Sequence, residues 1–138
     1  QELFFEKTDI LMSPSVVGMA SVTFRPFAAS SNSLRSAFLS LNGKYVGKQY
    51  YDNTSSDERS IPAYFVANMS LGYDIPLRRD SDRKISLSFH VNNLFNNMYY
   101  ANGWVYRAYF EQEDDYYVES GIYPQAPANF MLKVGFSF

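Results

Sequence analysis

Aromatic side chains crowd one stretch of this sequence. Trp104, Tyr106, Tyr109, Phe110, Tyr116, Tyr117 and Tyr123 follow one another there, with Arg107 among them. Rings with a polar edge are adaptable contact surfaces, suited alike to sugars, aromatic chelates and corrinoid rings. Trp104, Tyr106, Arg107, Tyr109, Tyr116 and Tyr117 are therefore the candidate ligand-contacting residues, with loop-on-loop packing as the competing use of the same rings. Glu111, Glu113, Asp114, Asp115 and Glu119 make an acidic cluster in the same segment. Carboxylate oxygens suit Ca²⁺, but the Asp-x-Asp-x-Asp-Gly register is missing, and a solvated acidic loop accounts for them.

Other chemistry is poorly supplied. His90 is the single histidine and there is no cysteine, which excludes thiolate zinc sites, a cysteine nucleophile and a disulfide framework. No metal site and no cofactor is expected, and His90 reads as a hydrogen-bonding residue of a strand. Serines are plentiful, but no Gly-x-Ser-x-Gly elbow exists, and a Ser/His/Asp set would have to be assembled from scattered positions. No enzyme is expected. With 12 basic and 14 acidic residues, the chain has no field that seeks a polyanion, so nucleic acid is not a partner. The basic residues Arg78, Arg79, Arg83 and Lys84 read as a charged turn that resists burial. An aromatic content of 18% excludes a disordered polar tail.

The elements that position these residues are strands. Alternation at period 2 puts successive side chains on opposite faces of a strand, and it is clearest from Tyr64 to Ile75. Phe65, Ala67, Met69, Leu71, Tyr73 and Ile75 fall on one face, Asn68, Ser70, Gly72 and Asp74 on the other, with Val66 the exception. Ile85, Leu87, Phe89 and Val91 alternate with Lys84, Ser86, Ser88, His90 and Asn92. Phe130, Leu132, Val134, Phe136 and Phe138 alternate with Asn129, Lys133, Gly135 and Ser137, Met131 intruding. Softer β-rich runs cover about Val16 to Phe27 and about Leu34 to Tyr50. No window has a helical period, and none approaches the roughly 18 apolar residues of a membrane helix. The pattern predicts an all-β chain, an antiparallel meander of about five strands.

Connector lengths alternate along this meander. Ala28–Ser33 is a short polar turn, Tyr51 to Ile61 a medium loop and Leu77 to Arg83 a short charged turn after Pro76 ends its strand. Asn96 to Pro127 is a connector of about thirty residues, of which Trp104 to Phe110 is a possible strand extension. Tight turns alternating with long loops are the pattern of a membrane β-barrel, whereas a compact soluble domain disfavours so long a connector. Rings near the ends of the apolar faces (Tyr64, Phe65, Tyr73, Phe130, Phe138) fit interfacial aromatic girdles. The small polar groups opposite them are unlike the Lys/Glu-rich exterior of most soluble sandwiches.

Four segments fall in order along the chain: Ser13-Pro14-Ser15, Lys44 to Thr54 (KYVGKQYYDNT), Val91 to Asn96 (VNNLFN) and Tyr123 to Pro127 (YPQAP). A final aromatic, Phe138, follows them. Together they resemble the C-terminal strands of TonB-dependent outer-membrane receptors, especially the Bacteroidetes type. The resemblance implies a plugged barrel of about 22 strands in the Gram-negative outer membrane, importing a scarce nutrient such as an iron chelate (siderophore), cobalamin or oligosaccharide. On this view residues 1–138 are the last strands of a longer chain whose plug and TonB-contacting segment lie outside it. Gln1-Glu2-Leu3-Phe4-Phe5, with neither initiator Met nor signal peptide, fits such a piece.

The implied partners are outer-membrane lipid, the plug and remaining strands, TonB through the region not present, the barrel-assembly machinery and a small-molecule or oligosaccharide ligand. Phe130, Leu132, Val134, Phe136 and Phe138 resemble the terminal signal that the assembly machinery reads. Asn68, Ser70, Asp74, Ser86, Ser88, His90 and Asn92 are expected to line the lumen. If Phe138 marks the periplasmic rim, turns 28–33 and 77–83 are periplasmic and loops 51–63 and 96–128 extracellular. Asn92 and Asn93 are expected to satisfy backbone groups where the ladder stops, with Leu94 and Phe95 packing over the rim. The competing readings are a passive outer-membrane channel or adhesin-like barrel, and a soluble β-sandwich that binds carbohydrate.

Overall fold

The computed structural model describes residues 9–30, 33–77, 83–110 and 115–138, with Ser33, Asp115 and Tyr116 described in the backbone alone. Gln1 to Phe5, the Arg78-Arg79 pair and the acidic residues Glu111, Glu113 and Asp114 lie outside the described residues. The strands are β1 (Val17–Phe24), β2 (Phe38–Val46), β3 (Gln49–Tyr50), β4 (Ser60–Ile61), β5 (Tyr64–Pro76), β6 (Lys84–Asn92), β7 (Tyr100–Phe110), β8 (Asp115–Pro124) and β9 (Asn129–Ser137). Among the described residues the only helical turns are two short 3₁₀ turns, Ser33–Ser36 and Asp57–Arg59.

Five strands form one sheet in the order β1-β2-β5-β6-β9, while β3 pairs with β4 and β7 with β8. The expected five-strand meander is present, with β3–β4 and β7–β8 inserted between its members. The run expected from Leu34 to Tyr50 is broken at Gly47, whose N–H donates to the Val16 carbonyl at 2.8 Å. The connector from Asn96 to Pro127 is mostly a β-hairpin: the strand extension read at Trp104 to Phe110 lies within β7, and β8 is the strand that was not expected. Pro124 is the last residue of that hairpin, opposite Tyr100.

By contacts the chain divides into two compact units. One comprises Met19–Lys44, Val66–Asn97 and Ala126–Phe138; the other comprises Gln1–Gly18, Tyr45–Phe65 and Met98–Gln125. The first unit is the five-stranded sheet. β6 pairs antiparallel with β5 and with β9, in registers that place Leu71 opposite Phe89 and Phe89 opposite Leu132, and Ser70 opposite His90 and His90 opposite Met131. Each apolar row is thereby continuous across three strands, whereas the polar row through Ser70 and His90 ends on β9 at Met131. β2, β6 and β9 have nine residues and β5 thirteen. The roughly 9–11 residues of a tilted membrane-crossing strand lie within that range.

The two faces are satisfied differently. The polar face bonds to itself: Ser21 to Asn42 at 2.7 Å, Thr23 to Ser40 at 3.1 Å, Ser70 to His90 Nδ1 at 2.9 Å, Lys84 to Asp74 at 2.7 Å and Asn92 to Asn129 at 3.0 Å. Cross-strand polar pairs of this kind hold register as well as adding energy. The apolar face is open over much of its area. Leu132 and Phe136 are about two-thirds exposed, and Leu71 is 41% exposed. Among the described residues of this unit no second layer covers them, as a soluble sandwich would require.

One large ring sits on the polar face. Phe38 lies over Gly72, where a Cβ would meet the ring at 2.1 Å. Glycine at this point lets the ring lie against the backbone of β5, an aromatic filling the space a glycine leaves. Gly72→Val is expected to destabilise the folded barrel by about 1–3 kcal/mol, the usual range for overpacking. Phe38→Ala in the same chain should restore most of the loss. Heat-modifiable gel migration of the folded parent protein checks both, and equal stability of Gly72→Val and wild type refutes the contact.

Candidate functional site

The second unit holds the aromatic segment. β7 and β8 pair antiparallel from Tyr100–Pro124 to Phe110–Asp115, with an irregularity between Tyr100 and Asn102. Alternation and register put Trp104, Tyr106 and Phe110 of β7 on one face with Tyr117, Glu119 and Tyr123 of β8. The Trp104 indole lies across Gly121, where a Cβ would stand 2.7 Å from its Nε1. Tyr106, Phe110, Tyr117 and Tyr123 are each about half exposed. The Tyr117 hydroxyl is 3.4 Å from the Glu119 carboxylate. An open row of rings carrying a carboxylate stacks against flat or apolar ligand faces and accepts hydrogen bonds from hydroxyl or amine groups at their edges.

Arg107 and Tyr109 alternate to the other face, so the structure divides the residues that the sequence had grouped. Arg107 donates to the Asp52 carboxylate, and Arg59 donates to the same oxygen at 2.8 Å. Tyr116 pairs with Tyr109 in the ladder, and its side chain lies outside the described residues. The Tyr51 hydroxyl donates to the Glu58 carbonyl at 3.1 Å and lies 3.3 Å from the Ser120 hydroxyl. Tyr51 and Asp52 are buried, as are Val46, Gln49 and Ile61, the last with no exposure at all. This small core anchors the back of the hairpin and leaves its aromatic front open.

Asp52 is the hub. Its Oδ1 also accepts from the Thr54 N–H at 3.0 Å and from the Thr54 hydroxyl, the Asx-turn geometry open to a short acidic side chain. Burial by itself pushes the Asp52 carboxyl up. The Thr54 hydrogen bonds and the Arg59 and Arg107 charges outweigh it, holding the group below the ordinary aspartate value. Sequence reasoning assigned this residue no role. The Asp52-Asn53-Thr54 turn signature was the available signal, but the partner Arg107 stands 55 positions away.

The residues expected to line a lumen share the polar face of the five-stranded sheet. Ser70, Asp74, His90 and Asn92 take part in its hydrogen bonds, and Ser86 and Ser88 lie in register with Asp74 and Gly72. Asn68 accepts the Asn93 N–H at 2.9 Å. Asn93 is itself 3% exposed and adopts a left-handed backbone at φ 52°. Its amide nitrogen donates to the carbonyls of Asn97 and Ala126 at 2.9 and 3.2 Å, and its oxygen accepts from the Asn97 N–H at 3.0 Å. Asn96 Oδ1 accepts the Ala128 N–H at 2.9 Å. The expected satisfaction of orphan backbone groups is thus performed by Asn93 and Asn96. Leu94 and Phe95, which follow Asn93, are 37% and 62% exposed.

A long-stranded sheet with a self-bonded polar face and an uncovered apolar face is a segment of a membrane β-barrel. Among the described residues no helix is long and apolar enough to cross a membrane, a test that does not apply to strands. The profile of the TonB dependent receptor-like β-barrel family matches residues 5–94, and the chain belongs to that family. Its members are receptors and transporters of the outer membrane. Neither a curated protein nor a solved structure matches the chain.

Asp52→Asn keeps the shape of the hub and removes its charge. Because Arg107 is itself 41% exposed, the cost is expected near that of a hydrogen bond to a charged group, about 1.5–3 kcal/mol. The parent receptor should show faster amide exchange across β7 and β8. A depressed carboxyl contributes stability that is full above the unfolded value of about 3.9 and is lost as pH falls through the lower folded value. Wild type should therefore approach Asp52→Asn only at more acidic pH. Unchanged β7–β8 protection in Asp52→Asn refutes the anchor.

Proposed function

We propose that this chain is the C-terminal barrel segment of a plugged receptor that takes up a scarce nutrient with energy delivered through TonB. The nutrient is of the iron-chelate, cobalamin or oligosaccharide class, and the β7–β8 hairpin is one of its contact surfaces. The observation that carries this reading is the division of the hairpin into a fastened back and an open aromatic front. A loop kept only for packing would bury its rings; this one buries Tyr51 and Asp52 behind it and leaves Tyr106, Tyr117 and Tyr123 half exposed. Trp104 and Tyr106 with Tyr117 supply the stacking surface, and Glu119 accepts hydrogen bonds. Arg107 is a positioning residue that acts through Asp52.

The orientation that suits this role puts Phe138, turn 28–33 and turn 77–83 at the periplasmic rim, with residues 51–63 and 96–128 extracellular. The polar face then lines the lumen against the plug, and the apolar face meets lipid. Phe130, Leu132, Val134 and Phe136, on one face of β9, and Phe138 just past its end are about half or more exposed and so available to the assembly machinery.

Two measurements in the full-length receptor test this. Ferric catecholate chelate, cobalamin and a malto-oligosaccharide are titrated against wild type and the triple variant Trp104→Ala/Tyr106→Ala/Tyr117→Ala. One of the three should bind wild type, and the variant should lose roughly tenfold or more, as follows from about 0.5–1.5 kcal/mol per ring contact. Unchanged affinity refutes the hairpin as a contact surface. Leu71→Arg should cost about 2–4 kcal/mol of barrel stability if it lies near the bilayer midplane, and Ser70→Arg much less. Equal tolerance on both faces refutes the assigned facing.

A further inference from the structure

Two asparagine–glycine pairs occur in the sequence, Asn42-Gly43 and Asn102-Gly103. They lie in β2 and β7, and both asparagines are exposed. In such a pair the glycine nitrogen can close a five-membered ring on the side-chain amide carbon. Glycine has no Cβ to shield that nitrogen or to restrict the backbone rotation that brings it in. The two pairs are held differently. At Asn42 the side-chain oxygen accepts the Ser21 hydroxyl at 2.7 Å, which ties the amide across to β1. At Asn102 the side-chain oxygen accepts the Gly103 N–H at 2.9 Å, so the attacking nitrogen already rests against the group it would attack. The register skips Ala101, and the ladder is interrupted beside this pair. Packing keeps glycine behind Asn102: a Cβ on Gly103 would stand 3.1 Å from the Tyr51 ring and 3.1 Å from the Gly121 carbonyl oxygen, and Tyr51 is buried.

We propose that Asn102 is a site of self-modification, converted by the Gly103 nitrogen and water into aspartate and isoaspartate. The Gly103 nitrogen gives its proton to solvent base and bonds to the Asn102 Cγ. The bond from Cγ to Nδ2 breaks, and ammonia leaves a succinimide ring. Water then opens the ring at one of two carbonyl carbons. Breaking the new bond from nitrogen to Cγ gives aspartate; breaking the original peptide bond gives isoaspartate, whose main chain runs through Cγ. Asn102 alternates with Trp104 and Tyr106 and stands opposite Tyr123, so the new carboxylate falls on the open aromatic face, which already carries Glu119. The isoaspartate also lengthens the main chain of β7 by one carbon and puts the residues on its two sides out of step. The aromatic face of the hairpin thus changes in charge and order as the protein ages.

Full-length receptor, folded in neutral detergent, is held in mildly alkaline buffer made with H₂¹⁸O, and a second portion is kept unfolded in guanidinium chloride. Peptide mapping by mass spectrometry reads aspartate and isoaspartate at both asparagines over time. In the folded protein Asn102 should convert roughly a hundredfold faster than Asn42, because a misplacement of about 1 Å from the reactive geometry costs about that factor. Each product should carry one ¹⁸O, and Asn102→Gln should stay unmodified at that position. Unfolding should bring the two rates together. Equal rates at Asn42 and Asn102 in the folded protein overturn the proposal. So does an Asn102 that stays intact while the unfolded chain converts. Rates that differ as much in guanidinium as in the folded protein overturn it too, since sequence and not structure would then set them.

Discussion

The ladder that joins β5 to β6 and β6 to β9 is the constraint on which the rest depends. A barrel wall has hydrocarbon on one side, so every backbone N–H and carbonyl in it must be paired within the sheet. The pairing also decides what each face presents. With Leu71 opposite Phe89 and Phe89 opposite Leu132, apolar rows run unbroken across the strands. A slip of one residue would set every one of them against the polar face. The Ser70–His90 and Asn92–Asn129 bonds hold the register from the polar side.

Where the ladder ends, other groups take over its work. Ser36 both accepts from the Asp74 N–H and donates to the Asp74 carbonyl at 3.0 Å, standing in for a strand neighbour. Asn93 does the same at the opposite end of the sheet, bonding residues on both sides of the β7–β8 insertion. Its left-handed backbone is one that asparagine tolerates better than most side chains. In the other unit Asp52 gathers Thr54, Arg59 and Arg107 around one carboxylate. Each is a short polar side chain replacing backbone pairing where regular structure stops. Together they hold insertions that have little apolar core of their own.

Much of this was legible in the residues. Period 2 alone identified β5, β6 and β9 and divided their faces correctly, since a strand's geometry forces alternation whatever surrounds it. The VNNLFN segment marked the end of a strand, and asparagine chemistry explained why. Less legible was β7–β8. Its strand pattern is diluted by aromatics on both faces, Tyr109 and Phe110 being adjacent, so alternation does not distinguish a hairpin from a loop. Arg107 was grouped with Trp104 and Tyr106 by proximity in sequence, although adjacent strand positions point oppositely.

Taken alone, the order of residues determined the all-β class, the face each strand residue occupies and the absence of thiol chemistry. These follow from local geometry and composition, which no fold can alter. Tertiary structure alone decided that Arg107 serves Asp52, that Phe38 rests on Gly72 and that Asn93 joins both flanks of the β7–β8 insertion. Each of these links residues far apart in the chain, and such pairings are set by which strands meet and in what register, a choice that depends on all the strands at once.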